Sequence, residues 1–472
     1  MNHEADTEFA NDTNPAGIRG WLEARLPATD RAGVGWATAW FFCLLFGYYH
    51  LRPLREAKGF ANGSDEIPWL FLGSFLIMLL AVPVYGTVVN RGRGIGLVHR
   101  VYGFFAVNLL VFFVAMRIED PAIAGWVGRV YFVWLSVFNL FVISLMWTVL
   151  ADCFRSGQAK RYFGWISAGG TLGGIAGSEV ANRMSDTVHL SFVPLIAAGL
   201  LVLCQYCATR FVQAIAGNAA DADTPGDADS ASDATTRNLP SPDDDANREK
   251  DSNNEPNQAG TDTRTKTSIW AGVQAVFTSP YLTGIFAFLI VIQACGTTIY
   301  CQQGDFIRAA GLDEANRFAL LSRINFWVLA CTLIVQFFGT ATIVRKLGLA
   351  WVLTLFPAIY VVGFVMLATI PSLAVIVGLV IVHRAAAYAI ISPSIQVLYT
   401  VVDKRVLYKV KSFLDTAVVR GGDLFSAQAF GALRGWGWSL AAIAIGFVPL
   451  AALTCLIGNW VGRRQQRLGK ER

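Results

Sequence analysis

Apolar residues in this chain gather into long runs separated by short polar joints, and the runs match the roughly 20 residues that a helix needs to cross a bilayer. They lie at 33–51, 69–89, 101–116, 127–150, 162–181 and 190–212, then at 282–300, 318–344, 349–370, 373–402, 412–433 and 438–461. Six runs stand on each side of a polar interval, which predicts an all-α membrane protein of twelve transmembrane helices in two six-helix pseudo-repeats. The halves also echo each other. At one offset of 252 residues Arg93 falls on Arg345, Trp147-Thr148-Val149 on Tyr399-Thr400-Val401, and Gly169-Gly170 on Gly421-Gly422. Parallel repeats around a midplane site are an established transporter plan. The expected domains are a polar arm at 1–32, helical bundles at 33–212 and 267–462, a linker at 213–266 between them, and a basic tail at 463–472.

Composition supports this division. Of 472 residues, 54% are hydrophobic and 15% charged, where soluble proteins carry roughly 25% charge. The mean hydropathy is +0.47. The net charge of +5 conceals a split, because residues 221–266 hold twelve acids against five bases and leave the rest at +12. That acidic interval has almost no aromatic residues, too little apolar surface to order itself, and reads as a disordered tether. The other bases are scattered singly at helix ends and form no nucleic-acid stripe. They concentrate in alternate loops, around Arg91 and Arg93, Arg155 to Arg161, Arg345 and Lys346, Lys404 to Lys411, and beyond Arg463. By the retention of Lys and Arg on the cytoplasmic side, both termini are expected in the cytoplasm of a cell whose inner membrane the chain spans. The N-terminus shows no apolar core followed by a cleavage site, so no cleaved signal is expected.

Polar residues inside the spans are the candidate chemistry. Arg52, Arg55 and Glu56 share a helix face if the helix survives Pro53, and serve either as a snorkelling collar or as an anion-binding cluster on the pathway. Arg384 sits in an otherwise apolar tenth span, where an arginine needs a partner or water. The eleventh span is the most polar, with Lys409, Lys411, Asp415, Arg420 and Asp423 on two faces. One face lines the pathway, or pairs along the helix neutralise most of it. Asp152 is either a coupling site or a loop bracket. Gly169, Gly173 and Gly177, interleaved with Gly170 and Gly174, have the spacing of close helix packing. Cys204-x-x-Cys207 lies in an apolar run without further ligands and reads as buried small side chains. No metal or cofactor is expected, and no catalytic motif points to an enzyme.

Two resemblances follow from quoted blocks. Gly86-Thr87-Val88-Val89-Asn90-Arg91-Gly92-Arg93-Gly94 resembles the loop signature of the major facilitator superfamily, G-x-x-x-D-R-x-G-R-[RK], with Asn90 in the acidic place. That signature implies a gating role for Arg91 and Arg93. Tyr48-Tyr49-His50-Leu51-Arg52-Pro53-Leu54-Arg55-Glu56, Lys160-Arg161-Tyr162-Phe163-Gly164 and Tyr408-Lys409-Val410-Lys411-Ser412-Phe413-Leu414-Asp415-Thr416 resemble the ATP:ADP antiporter family and its free-living bacterial relatives. Asn325, Ala387 and Ser392 replace residues that tend to be charged there. The resemblance implies a facilitator-fold carrier of nucleotides or a similarly anionic, phosphorylated solute. It would work by alternating access as a monomer in contact with membrane lipid. Arg52, Arg55, Arg384, Lys409, Lys411 and Arg420 would supply countercharge, and Glu56, Asp152, Asp415 and Asp423 coupling or gating. A proton-coupled carrier of an uncharged or cationic solute, and a non-transporting sensor or scaffold, remain alternatives.

Overall fold

A computed structural model describes residues 28–92, 94–154, 156–222, 269–338, 346–403, 407, 410–411 and 413–470. The first half contains α1 (Ala28–Gly59), α2 (Ile67–Arg91), α3 (Ile95–Ala115), α4 (Pro121–Cys153), α5 (Ser156–Met184) and α6 (Phe192–Ala222). The second half begins with a short lead-in helix, α7 (Ile269–Thr278). There follow α8 (Pro280–Ala309), α9 (Glu314–Phe338), α10 (Leu349–Thr369), α11 (Leu373–Ala386), α12 (Ser392–Leu398), α13 (Val419–Gly435) and α14 (Leu440–Lys470). Ten described helices are long and apolar enough to cross a membrane. The expected fifth and eleventh spans, α5 and the stretch ending in α13, are helical but fall outside that set, because they carry the glycines and charged residues.

Local chemistry sets several boundaries. Asp120 caps α4 by accepting from the backbone N–H groups of Ala122 and Ile123 at 2.9 and 3.0 Å, with Pro121 in the first turn where it wastes no donor. The first helix does survive Pro53 and reaches Gly59. α6 extends past the expected end of its span to Ala222, since Ala214, Ala216, Ala219 and Ala220 favour helix after apolar residues give out. α14 likewise absorbs most of the basic tail, whose cations suit a helix C-terminus. Residues 28–32, expected in the polar arm, and 213–222, expected in the disordered linker, are therefore helical, whereas residues 1–27 and 223–268, with the rest of the arm and linker, lie outside the described residues.

The same helix pairs form in both halves. α1 packs on α4, α5 and α6, α4 on α2 and α3, and α3 on α6. Correspondingly, α8 packs on α11, α13 and α14, α11 on α9 and α10, and α10 on α14. Between halves, α5 meets α9 and α2 meets α13, two contacts that a two-fold axis exchanges. Close approach depends on missing side chains. A Cβ at Gly173 would stand 2.2 Å from the Phe42 carbonyl oxygen and one at Gly177 2.3 Å from that of Phe46, so α5 lies directly on the α1 backbone. In the second half Gly458 and Gly462 do the same on α10 at Leu353 and Ala350. The glycine spacing read from the sequence is therefore a packing face. Cys204 and Cys207 are free and buried, with Cys204 against the Trp40 carbonyl at 3.8 Å.

Candidate functional site

At one end of the molecule the halves are clasped. Ser64 donates its backbone N–H to Asp305 Oδ1 at 2.8 Å, Arg308 reaches the Asn62 carbonyl at 2.9 Å and Asp65 at 2.6 Å, and Lys58 pairs with Glu314 at 2.7 Å. Gly63, at φ 64°, lets this turn approach α8, since a Cβ there would meet Asp305 Oδ1 at 2.7 Å. Arg434 holds Asp305 from α13 at 3.4 Å. The rings of Phe60 and Phe71 close on Tyr300 beneath it, with centroids 4.8 and 5.6 Å apart. α1 begins and α14 ends at the opposite end.

Below the clasp lies the charge. Arg384 stands eleven residues into α11 and Asp423 twelve residues before the end of α13. At 1.5 Å per residue each is about 17 Å deep, near the middle of a roughly 30 Å hydrocarbon core. Glu56, 2% exposed, accepts from Arg52 Nε at 3.0 Å one helical turn away and faces Arg384 Nη2 from the other half at 3.6 Å. The two guanidinium side chains are 13% and 12% exposed. Among the described residues Glu56 Oε2 and Arg384 Nη1 have no hydrogen-bond partner. Isolated charges at this depth are costly, so each depends on the others. Tyr388 stands one turn beyond Arg384.

A cavity of about 50 Å³ adjoins this triad, bounded by Arg55 and Ser136 on one side and Arg420 and Asp423 on the other. Arg55 lies over the Phe132 ring at 3.9 Å and donates to the Phe132 carbonyl at 3.0 Å and to Ser136 at 3.4 Å. Asp423 accepts from Gln293 and, at 2.8 Å, from Thr297. Arg420 contributes no ion pair to Asp423, so the bridge that the eleventh span might have formed along its own helix is absent among the described residues.

Of the residues singled out in the sequence, the structure thus gathers Arg52, Arg55, Glu56, Arg384, Arg420 and Asp423 between the halves. It places others elsewhere. Lys411 donates to Gln396 at 2.8 Å, Asp152 is exposed at the end of α4, and Arg91 is exposed at the end of α2. Arg93, Lys409 and the side chain of Asp415 lie outside the described residues. Sequence reading missed Tyr388, Gln293 and Thr297. The i+4 step from Arg384 to Tyr388 was a usable signal, whereas the reach of Gln293 and Thr297 to Asp423 needed the packing of α8 on α13. Also unforeseen are two π-helical stretches, Ala387–Ile391 after Arg384 and Phe413–Val418 before Arg420. Such insertions often mark functional positions.

No family model and no curated protein sequence matches the chain. Solved structures do. A bacterial homologue of the human lysosomal transporter Spinster, in an inward-facing and unoccupied conformation, is similar at 13% identity over 93% of both chains, with a TM-score of 0.52. The POT family transporter PepTSo is similar at 12% identity, covering 92% of this chain and 98% of its own, with a TM-score of 0.58. The nucleoside transporter NupG is similar at 12% identity over 92% and 99%, with a TM-score of 0.52. At such identities the likeness establishes the fold. The chain is an all-α, multi-pass membrane protein of major-facilitator-like architecture.

Proposed function

We propose that the protein is an alternating-access secondary transporter for a nucleotide-like or other phosphorylated anion. One observation carries this reading. Where the halves meet, three largely buried guanidiniums (Arg52, Arg55, Arg384) and the exposed Arg420 face two carboxylates (Glu56, Asp423), and this excess of positive charge calls for an anion. The blocks that resemble the ATP:ADP antiporter family, which include Arg52, Arg55 and Glu56, support the same substrate class. By the placement of bases, the clasp lies on the side away from the cytoplasm and both termini lie within it.

Glu56 supplies a working mechanism. It neutralises Arg52 in its own half and Arg384 in the other, acting as a resident stand-in for the substrate's anionic group. An arriving phosphate competes for both guanidiniums and takes over countercharge that Glu56 supplied across the halves. The substrate thereby acquires a differential interaction with the two states, which any ligand that moves a conformational equilibrium must have. Arg55, oriented by the Phe132 carbonyl and Ser136, and Arg420, free of Asp423, supply further donors. Arginine suits this task because its planar fork matches phosphate oxygens in pairs.

Uptake of radiolabelled solutes into proteoliposomes, screened across nucleotides, nucleosides and sugar phosphates, tests the proposal. Accumulation of phosphorylated species, with little uptake of the matching nucleosides, is expected. Uptake of the uncharged forms alone would overturn it.

A further inference from the structure

A further cavity lies away from the site between the halves. α2 packs on α4 and on α13 but scarcely on α3, its neighbour in sequence. The resulting groove, about 1190 Å³, has α4 as its floor and opens on a face formed by three candidate membrane spans. Its wall is apolar over most of its length, with Phe104 61% and Val130 54% exposed.

Charge makes the two ends different. At one end Arg91, the last residue of α2, and Arg100, in the second turn of α3, both line the groove and are exposed. Arg100 uses Nε on the Gly96 carbonyl at 3.3 Å, and Arg91 forms no hydrogen bond or ion pair among the described residues. Among the described residues no carboxylate lines that end. The acid in the described lining, Glu66, is at the far end and already engaged by Arg129 through two bonds of 2.9 and 2.8 Å. Arg129, with Asn62 behind it, holds the Glu66 carboxyl below the usual carboxylate range. One mouth therefore offers unspent guanidinium donors and the other offers none.

We infer that this groove is a binding site for an anionic phospholipid, its phosphate on Arg91 and Arg100 and its acyl chains along α3 and α4. Unsatisfied basic residues at the head-group level of a lipid-facing cleft have that complement. Because α2 also forms the contact with α13, a lipid seated behind it supports one of the surfaces on which the halves meet.

The full chain, reconstituted in bilayers, is tested with spin-labelled phosphatidylglycerol and phosphatidylcholine, reading the motionally restricted fraction of each. The wild type is expected to restrict the anionic lipid more. Arg91→Gln with Arg100→Gln should lower its relative affinity roughly fivefold per arginine, the effect of about 1 kcal/mol for each base near a membrane surface. The control pair Arg463→Gln and Arg464→Gln, exposed near the end of α14, should retain the preference. Val130→Trp, which fills the groove and leaves its charge alone, should reduce restriction of both lipids. Equal restriction of the two lipids by the wild type would overturn the inference. So would a preference that survives the Arg91 and Arg100 changes, an equal loss in the control pair, or displacement of the lipid by inorganic phosphate.

Discussion

Glu56 joins two guanidiniums that belong to different halves, so its carboxylate is both the neutraliser of the central cluster and a link across the fold. Glu56→Gln should leave Arg52 and Arg384 uncompensated, destabilising the protein by about 3 to 5 kcal/mol, the usual result of removing one partner from a buried pair. A phosphorylated substrate should restore much of this in a thermal unfolding series. An unshifted midpoint, indifferent to anions, would deny Glu56 its role. Arg420 gives a second test. Because Asp423 is held by Gln293 and Thr297, the double change Arg420→Gln with Asp423→Asn should not recover the activity lost in Arg420→Gln, and Arg420→Lys should remain impaired for want of the planar fork. Recovery in the double variant, measured as uptake, would return Arg420 to a structural part. Glu56 and its arginine neighbours were legible in the sequence because charge inside an apolar run stands out. Tyr388, Gln293 and Thr297 were not, since uncharged side chains in a span acquire meaning only from what another helix brings to them.

At the scale of elements, α5 and α13 do the work that their composition hides. Their glycines and polar residues lower their apolarity, yet these helices contact both their own half and the other. Gly173→Ala should be severely disruptive, because its Cβ would enter the Phe42 carbonyl at 2.2 Å and force α1 and α5 apart, a misfit of about 1 to 3 kcal/mol or more. Gly164→Ala, with open space around it, should be neutral. Melting temperatures of the two variants in detergent check the contrast, and equal values would contradict the packing described. The number and order of helices were readable because an apolar run of bilayer length admits almost one conformation. The π-helical stretches beside Arg384 and Arg420 were not readable. An extra residue in a helical turn leaves the apolar pattern nearly unchanged while rotating everything beyond it, so its signal appears in tertiary packing.

For the whole molecule, the structure shows the halves joined by the clasp at one end, a cluster of charged side chains at mid-depth, and paired surfaces α5 with α9 and α2 with α13 related by the internal repeat; the proposed transport cycle would open the clasp as the cluster takes up its anion. The proposed orientation rests on the placement of the bases and is tested by reporter fusions. Alkaline phosphatase fused after Ala310, beside the clasp, should be active, and after Lys346 silent; the reverse would turn the molecule over in the membrane. Anion binding between the halves is measured by equilibrium binding of the best phosphorylated solute to wild type and Arg384→Gln. Affinity should weaken by about 1 to 3 kcal/mol, the scale of a hydrogen bond to a charged group, with the variant still folded because Arg52 continues to neutralise Glu56. Unchanged affinity in a folded Arg384→Gln protein would contradict it.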